Sequence, residues 1–337
     1  MGTLPSVYRA VIVEDEGKAS RLRVVERPMP SYGAGDIVVK VHGAGVNRAD
    51  ILQRQGLYPP PSGASDVMGL EVSGEVVALG SSVRRFKRGD KVCAILAGGG
   101  YGSHCVFPEV QALPVVGSLS MLENAVLPEV WCTVWSMVMN RGQFRQGETF
   151  LVHGASGGVG MAALQLGALY GRRVFGTASG DVKRRYCRDV ISADVGRIID
   201  YEEEDFVSII KEETGGKGVD VILDMVGGDY VSRNLACLGR EGRLLYIAFL
   251  KGSKVTIDLL SLMLKRQTLT GATLRVQPPA VKGALMASLQ RHIFPLMETG
   301  QLVPCLERVF PLERVQEAHE HMESGMAKGK IAIDMMS

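Results

Sequence analysis

Seven residues, Gly154-Ala155-Ser156-Gly157-Gly158-Val159-Gly160, carry the strongest chemical signal in the chain. They follow the apolar run Glu148 to His153, which reads as a buried strand, and precede Met161 to Tyr170, which reads as a helix. A glycine cluster alone says little. Placed between a strand and a helix, it lets backbone approach a pyrophosphate, and the helix N-terminus attracts the negative charge. The plainer reading is a tight turn between closely packed elements. Ser156, Gly157, Gly158 and Val159 are the candidate contacts for a dinucleotide.

The next strand, Arg173 to Ala178, ends in Thr177-Ala178-Ser179-Gly180. Sites for NAD usually place Asp or Glu at this tip to hold the ribose 2′-hydroxyl. No acid stands there, and Lys183 and Arg184 follow closely. Small donors beside a cation suit a 2′-phosphate, so the expected cofactor is NADPH rather than NADH. Asp181 counts the other way, because it can pair with Lys183 or repel phosphate.

Metal chemistry has little to work with. The six cysteines stand at 93, 105, 132, 187, 237 and 305 and include no C-x-x-C pair. The nearest possible zinc ligands are His42, Cys93, His104 and Cys105, but adjacent residues on a strand point to opposite faces. No metal is expected. Asn47 and Tyr58 offer hydrogen bonds that could hold a carbonyl oxygen near a nicotinamide. The plainer readings are an N-cap for Asn47, before Arg48 to Leu52, and a ring packed on Pro59-Pro60-Pro61 for Tyr58. From sequence alone the cap is the stronger reading of Asn47. No G-x-S-x-G elbow and no G-x-x-x-x-G-K-[ST] loop occurs, which disfavours a serine hydrolase and a P-loop NTPase.

These residues need a scaffold. The 337 residues are 46% hydrophobic and 22% charged, ordinary globular usage, and the length points to two domains. Lys and Arg number 38 against 36 Asp and Glu, a net charge of +2 that makes no electrostatic case for nucleic acid. No run of 18 apolar residues exists, no secretory signal is read at the N-terminus, and scattered thiols suit a reducing, cytoplasmic setting. Met1-Gly2 to Ser6 fits the short myristoylation pattern, which chance readily produces.

Residues 1–115 read as short strands (Tyr8–Val13, Asp36–Gly45, Glu71–Leu79, Asp90–Ile95) with Gly and Pro punctuation, a barrel-like unit. From about residue 148, strands at Glu148, Arg173, Arg197, Val219, Arg243 and Thr268 alternate with helices. Such alternation makes a doubly wound parallel sheet. The tail reads as a helix Val281–Glu298, a helix Arg314–Glu323 and a strand Lys330–Asp334 that packs back on the first unit.

Taken together, the motifs resemble the medium-chain dehydrogenase/reductase superfamily. Within it they are similar to the zinc-independent NADPH:quinone oxidoreductases, the zeta-crystallin-like group and its p53-inducible quinone oxidoreductase branch. The likeness rests on Val46-Asn47-Arg48-Ala49-Asp50, on Gln53-Arg54-Gln55-Gly56 with Tyr58, and on Gly69-Leu70-Glu71. In the last, Leu70 stands where zinc enzymes carry a ligand His; Gly45-Val46-Asn47 stands where they carry a ligand Cys.

The resemblance implies an α/β chain with a GroES-like β-rich catalytic domain (1–130 and 275–337) and a Rossmann doubly wound parallel sheet (131–274). It implies transfer of reducing equivalents from NADPH to a quinone in a cleft between the two. Asn47, Tyr58 and Thr133 would lie near the nicotinamide, and Gly157, Gly158 and Val159 under the pyrophosphate. Ser179, Gly180, Lys183 and Tyr201 would lie about the 2′-phosphate, and Ala248, Phe249, Ala272, Thr273 and Leu274 would border the nicotinamide end. Two departures stand out. Ser179-Gly180 replaces the branch's Gly-Ser, and Ala327 to Lys330 lacks an asparagine that relatives place on the cofactor. Relatives pair into homodimers through the Rossmann edge, here Thr268–Ala272. Reduction of an enone or enoyl C=C bond, and NADPH binding with little turnover, stay open beside quinone reduction.

Overall fold

The computed structural model describes residues 4–14, 20–191 and 196–337; the Gly2 pattern lies outside them. The chain divides into two units, Met1–Cys132 with Leu274–Ser337, and Thr133–Thr273.

The first unit is β-rich. Its strands are β1 (Val7–Glu14), β2 (Arg21–Pro28), β3 (Asp36–Val46), β4 (Glu71–Leu79), β5 (Lys91–Ile95), β6 (His104–Pro108) and β7 (Ala112–Pro114). β1 and β2 form an antiparallel ribbon, with Val11 opposite Val24. β3 is the spine of the larger sheet and pairs antiparallel with both β4 and β6. Ile37, Val39 and Val41 join one fully buried cluster with Val72, Val92 and Phe107, while Lys40 between them is exposed. These alternate residues share one face of the pleated strand, and Val38 on the other face is buried as well. β2 and β7 escape a sequence reading. Half of β2 is charged and none of it is fully buried, and β7 is three residues long.

The second unit holds β8 (Thr149–Val152), β9 (Arg173–Ala178), β10 (Gly196–Asp200), β11 (Val219–Asp224), β12 (Leu238–Tyr246) and β13 (Thr268–Gly271). They lie in the order β10-β9-β8-β11-β12-β13, every neighbouring pair parallel. β8 is buried along its whole length, as a strand covered on both faces must be. The strand order reverses between β8 and β11. Loops diverge at such a point and open a crevice at the C-terminal strand ends.

The chain then completes the first unit with β14 (Leu306–Pro311) and β15 (Lys330–Asp334). β15 pairs antiparallel with β3, Ile331 opposite Val46, and parallel with β14. The expected helix Val281–Glu298 is two helices, Pro279–His292 and Phe294–Glu298. Pro295 causes the break. It lacks an N–H and so falls in the first turn of the second helix, where none is needed. No helix among the described residues is long and apolar enough to cross a membrane.

Candidate functional site

The parallel sheet brings most of the expected cofactor residues to one edge. Ser156 to Val159 follow β8, Ser179 to Lys183 follow β9, and Tyr201 follows β10. Ala248 and Phe249 follow β12, and Ala272 and Thr273 follow β13. Parallel strands end on the same side, so residues more than a hundred positions apart share that edge.

The glycines of the β8 turn have separate duties. Gly154 has a φ of +62°, a left-handed conformation that side chains resist. A Cβ on Gly160 would stand 2.3 Å from the Gly154 carbonyl oxygen, so that glycine lets the helix Gly158–Tyr170 pack against the turn. Gly157, at the N-cap, is different. A Cβ there would meet only the Gly154 oxygen, at 3.6 Å. Gly157 is therefore not needed for packing, and a bare backbone here suits close approach by a pyrophosphate.

A buried polar chain ties three strand ends together behind this turn. His153 Nε2 lies 2.7 Å from Asn234 Oδ1, and His153 Nδ1 lies 3.0 Å from Thr177 Oγ1. Asn234 Nδ2 donates to the Asp224 carboxylate at 2.9 Å. That bond fixes which end of the amide faces His153. Nε2 must therefore carry the proton, and Nδ1 accepts from the Thr177 hydroxyl. Burial drives the His153 pKa down to about 4 and keeps the ring neutral. His153, Thr177 and Asp224 lie at the ends of β8, β9 and β11, around the reversal point, and Asn234 joins them from the helix Tyr230–Cys237.

The β9 tip holds a feature that sequence reading missed. Ser179 is extended, and Gly180 takes a φ of +70°. The order Ser-Gly follows from that geometry, because the second position demands glycine. An acid does reach this tip, from the neighbouring strand. The buried Asp200 carboxylate accepts from the Gly180 N–H at 3.1 Å, and Arg184 Nε lies 3.3 Å away. Arg184 also pairs with Asp181. The pairing of β10 with β9, Asp200 beside Ala178, is what brings it there.

The first unit carries its own buried polar cluster. Asn47 takes the N-cap position of the helix Arg48–Arg54, and Asp50 accepts its backbone N–H at 2.8 Å. Its side chain is engaged elsewhere. Asn47 Oδ1 accepts from Lys330 Nζ at 2.6 Å, and Nδ2 donates to Glu71 Oε1 at 3.0 Å. Lys330 also reaches Glu71 at 2.6 Å and the Val46 carbonyl at 2.9 Å. A Cβ on Gly45 would stand 2.1 Å from Glu71 Oε1, so only glycine leaves that carboxylate room.

Behind Asn47, Tyr101 lies between Asp50 Oδ2 and His319 Nε2, 3.2 Å from each. Burial pushes Asp50 up to about 6 and His319 down to about 3. Tyr58 is half-buried. Its carbonyl accepts from Arg275 at 3.1 Å, its ring lies under that guanidinium, and its hydroxyl makes no hydrogen bond among the described residues. Leu274 begins the return segment of this unit, and Thr133 begins the other unit on the helix Pro128–Val134. Sequence reading did not single out Asp50, Tyr101, Arg275, His319 or Lys330 for a site. Their spacing along the chain carries no motif.

Two family descriptions match. Alcohol dehydrogenase GroES-like domain covers residues 33–135, and Zinc-binding dehydrogenase covers residues 194–333. A quinone oxidoreductase of Lama guanicoe is 30% identical over 340 residues, 99% of each chain. The chain belongs to the medium-chain dehydrogenase/reductase superfamily. It is thereby an oxidoreductase that uses a nicotinamide cofactor. Among solved structures, a quinone oxidoreductase of Pseudomonas syringae pv. Tomato DC3000 superposes with a TM-score of 0.84 at 27% identity, covering 98% of this chain and all of that one. An enoyl reductase, CurK, superposes with a TM-score of 0.84 at 24% identity over 98% and 100%, a likeness of fold.

Against the family's zinc-binding description, Asn47 and Leu70 are the informative residues of this oxidoreductase. Leu70 is a buried hydrocarbon side chain, and the Asn47 amide is engaged by Lys330 and Glu71. Among the described residues no three His, Cys, Asp or Glu are grouped to hold a metal ion. The thiols are no better placed, since burial pushes Cys93 and Cys237 up to about 12.

Proposed function

We propose that this oxidoreductase is an NADPH-dependent quinone reductase that works without a metal. The carrying observation is the pair Asn47 and Leu70. At these positions stand a carboxamide already engaged within the protein and a side chain with no donor atom. This donor set does not fit zinc, which takes Cys, His or carboxylate ligands. An alcohol needs such a Lewis acid; a quinone is electrophilic enough without one.

When bound, NADPH supplies the hydride. The protein's part is to hold and orient. Gly157, Gly158 and Val159 present backbone N–H groups to the pyrophosphate. Ser179 and Lys183 would face the 2′-phosphate, while Arg184, shared between Asp181 and Asp200, offsets part of the acids' charge there. Tyr201, Ala248, Phe249, Ala272 and Thr273 border the dinucleotide at the remaining strand ends. By the family resemblance, Asn47, Thr133 and Leu274 would border the nicotinamide. Tyr58, with its hydroxyl unspent, donates to the quinone oxygen as it gains charge. Hydride addition leaves a hydroquinone anion, which takes its proton from water.

The protein is a homodimer in this reading. β13 is an edge strand of its sheet among the described residues, and Leu259, Leu260, Met263 and Leu264 are all more than half exposed on the preceding helix. Pairing of β13 with its copy would cover both.

The test is NADPH oxidation followed by absorbance, with 9,10-phenanthrenequinone and an enone in parallel wells. Oxidation with the quinone supports the proposal. Oxidation with the enone alone moves the activity to C=C reduction, which the same fold serves in CurK. NADPH binding with neither oxidation ends the catalytic reading.

A further inference from the structure

Arg275 is a buried cation, 5% exposed, that forms no ion pair among the described residues. Its three side-chain hydrogen bonds go to neutral acceptors on two stretches of chain, Gln53–Tyr58 and Ala97. Nε donates to the Ala97 carbonyl at 2.9 Å, Nη1 to the Tyr58 carbonyl at 3.1 Å, and Nη2 to Gln53 Oε1 at 2.6 Å. The guanidinium carbon lies 5.3 Å from the centre of the Tyr58 ring. Lys282, 2% exposed, donates to the Arg275 carbonyl at 2.8 Å. It adds a second buried positive charge, also without an ion pair. Asp50 attracts Arg275 from beyond ion-pair distance, yet burying two like charges without a direct counter-ion is costly, so a purely structural clamp would be better built from neutral donors.

We propose that Arg275 is a positioning residue for the reduction: its fork fixes the Tyr58 loop, and its charge makes the Tyr58 hydroxyl a stronger donor to an acceptor oxygen that becomes an anion. The inference rests on the proposed role of Tyr58 in quinone reduction. Burial holds the phenol protonated; Arg275 acts against that, and Glu129, the other charged group facing the ring, acts with it. The phenol thus remains a neutral donor in a positive field, which favours charge developing on the oxygen it bonds.

The test separates the two functions of the guanidinium. Arg275→Gln removes the charge; Arg275→Lys keeps the charge but cannot span three acceptors. Tyr58 is followed in protein labelled with 13C-tyrosine, its signal assigned by its loss in Tyr58→Phe. In Arg275→Gln the Tyr58 titration is expected to move to higher pH, and in Arg275→Lys it should not rise. Quinone kcat is expected to fall roughly tenfold or more in both, with the KM for NADPH unchanged. In a Tyr58→Phe background neither substitution should lower kcat further. An unmoved Tyr58 titration in Arg275→Gln, or an undiminished loss of kcat in the Tyr58→Phe background, overturns the inference. If Arg275→Gln does not fold, Arg275→Lys with and without Tyr58→Phe decides it. A shifted Tyr58 titration in a protein that reduces no quinone overturns the functional reading and leaves the coupling of Arg275 to Tyr58 standing.

Discussion

Glu71 and Lys330 stand 259 positions apart in sequence and 2.6 Å apart in the fold. Both are buried, and both bond Asn47. The pair fastens the last strand of the chain to β3 and β4 and at the same time sets the orientation of a residue proposed to border the nicotinamide.

Breaking that pair should cost far more than removing it. Lys330→Met leaves Glu71 charged and buried, and should destabilise the β-rich unit by about 3–5 kcal/mol. Adding Glu71→Gln should restore much of the loss, because no buried charge is then left unpaired. Urea unfolding of the two variants checks this. A double variant as unstable as the single one would show that the ion pair is not the source.

Gly157 and Gly160 should respond in opposite ways to alanine. At Gly160 the new methyl would press on backbone oxygens at 2.3 and 2.6 Å, and overpacking of this kind costs about 1–3 kcal/mol. The unfolding midpoint of Gly160→Ala should fall. At Gly157 the space is open and φ is −80°, so Gly157→Ala should fold normally. It should weaken NADPH binding by roughly tenfold, about 1.4 kcal/mol, by standing where the pyrophosphate approaches. Fluorescence titration with NADPH and thermal unfolding separate the two effects.

His153 makes the parallel-sheet unit sensitive to acid. Its folded pKa of about 4 lies below the ordinary 6.5. Between these values the unfolded chain binds the extra proton. Stability from this group is therefore complete above pH 6.5 and lost as pH falls toward 4, at up to about 1.4 kcal/mol per pH unit. In the other unit His319 acts in the same direction. Asp50 opposes it, because its raised pKa of about 6 gives stability below 3.8 that is lost as pH rises through 6. The stability gap between the unaltered protein and His153→Gln should narrow from pH 7 to pH 5. A constant gap would remove the histidine as the cause.

The exposed apolar helix should report on assembly. Leu260→Glu with Met263→Glu places charges on a face that contributes no buried residue to its own chain. Light scattering at micromolar concentration should find a dimer before the change and a monomer after it, with the far-UV spectrum unaltered. A monomer before the change would end the proposed pairing through β13.

The sequence by itself determined many of the local elements and the class of cofactor. β4 (Glu71–Leu79), β9 (Arg173–Ala178) and β15 (Lys330–Asp334) span the residues the sequence reading assigns them, and β11 and β13 begin where it puts them, at Val219 and Thr268. The glycine turn after β8 was legible because its chemistry is contiguous: seven neighbouring residues, one strand before and one helix after. What only the tertiary structure decided are relations between distant residues. Asp200 at the Ser179-Gly180 tip depends on the pairing of β10 with β9. The engagement of Asn47, which as a sequence reads first as a helix cap, depends on Lys330 arriving with the last strand. Arg275 over Tyr58 depends on the return of the chain into its first unit. Periodicity and turn chemistry act over a few residues, so sequence displays them directly. The pairing of charges and hydrogen-bonding groups is set by which strands lie side by side, and that register is fixed only when the cores close.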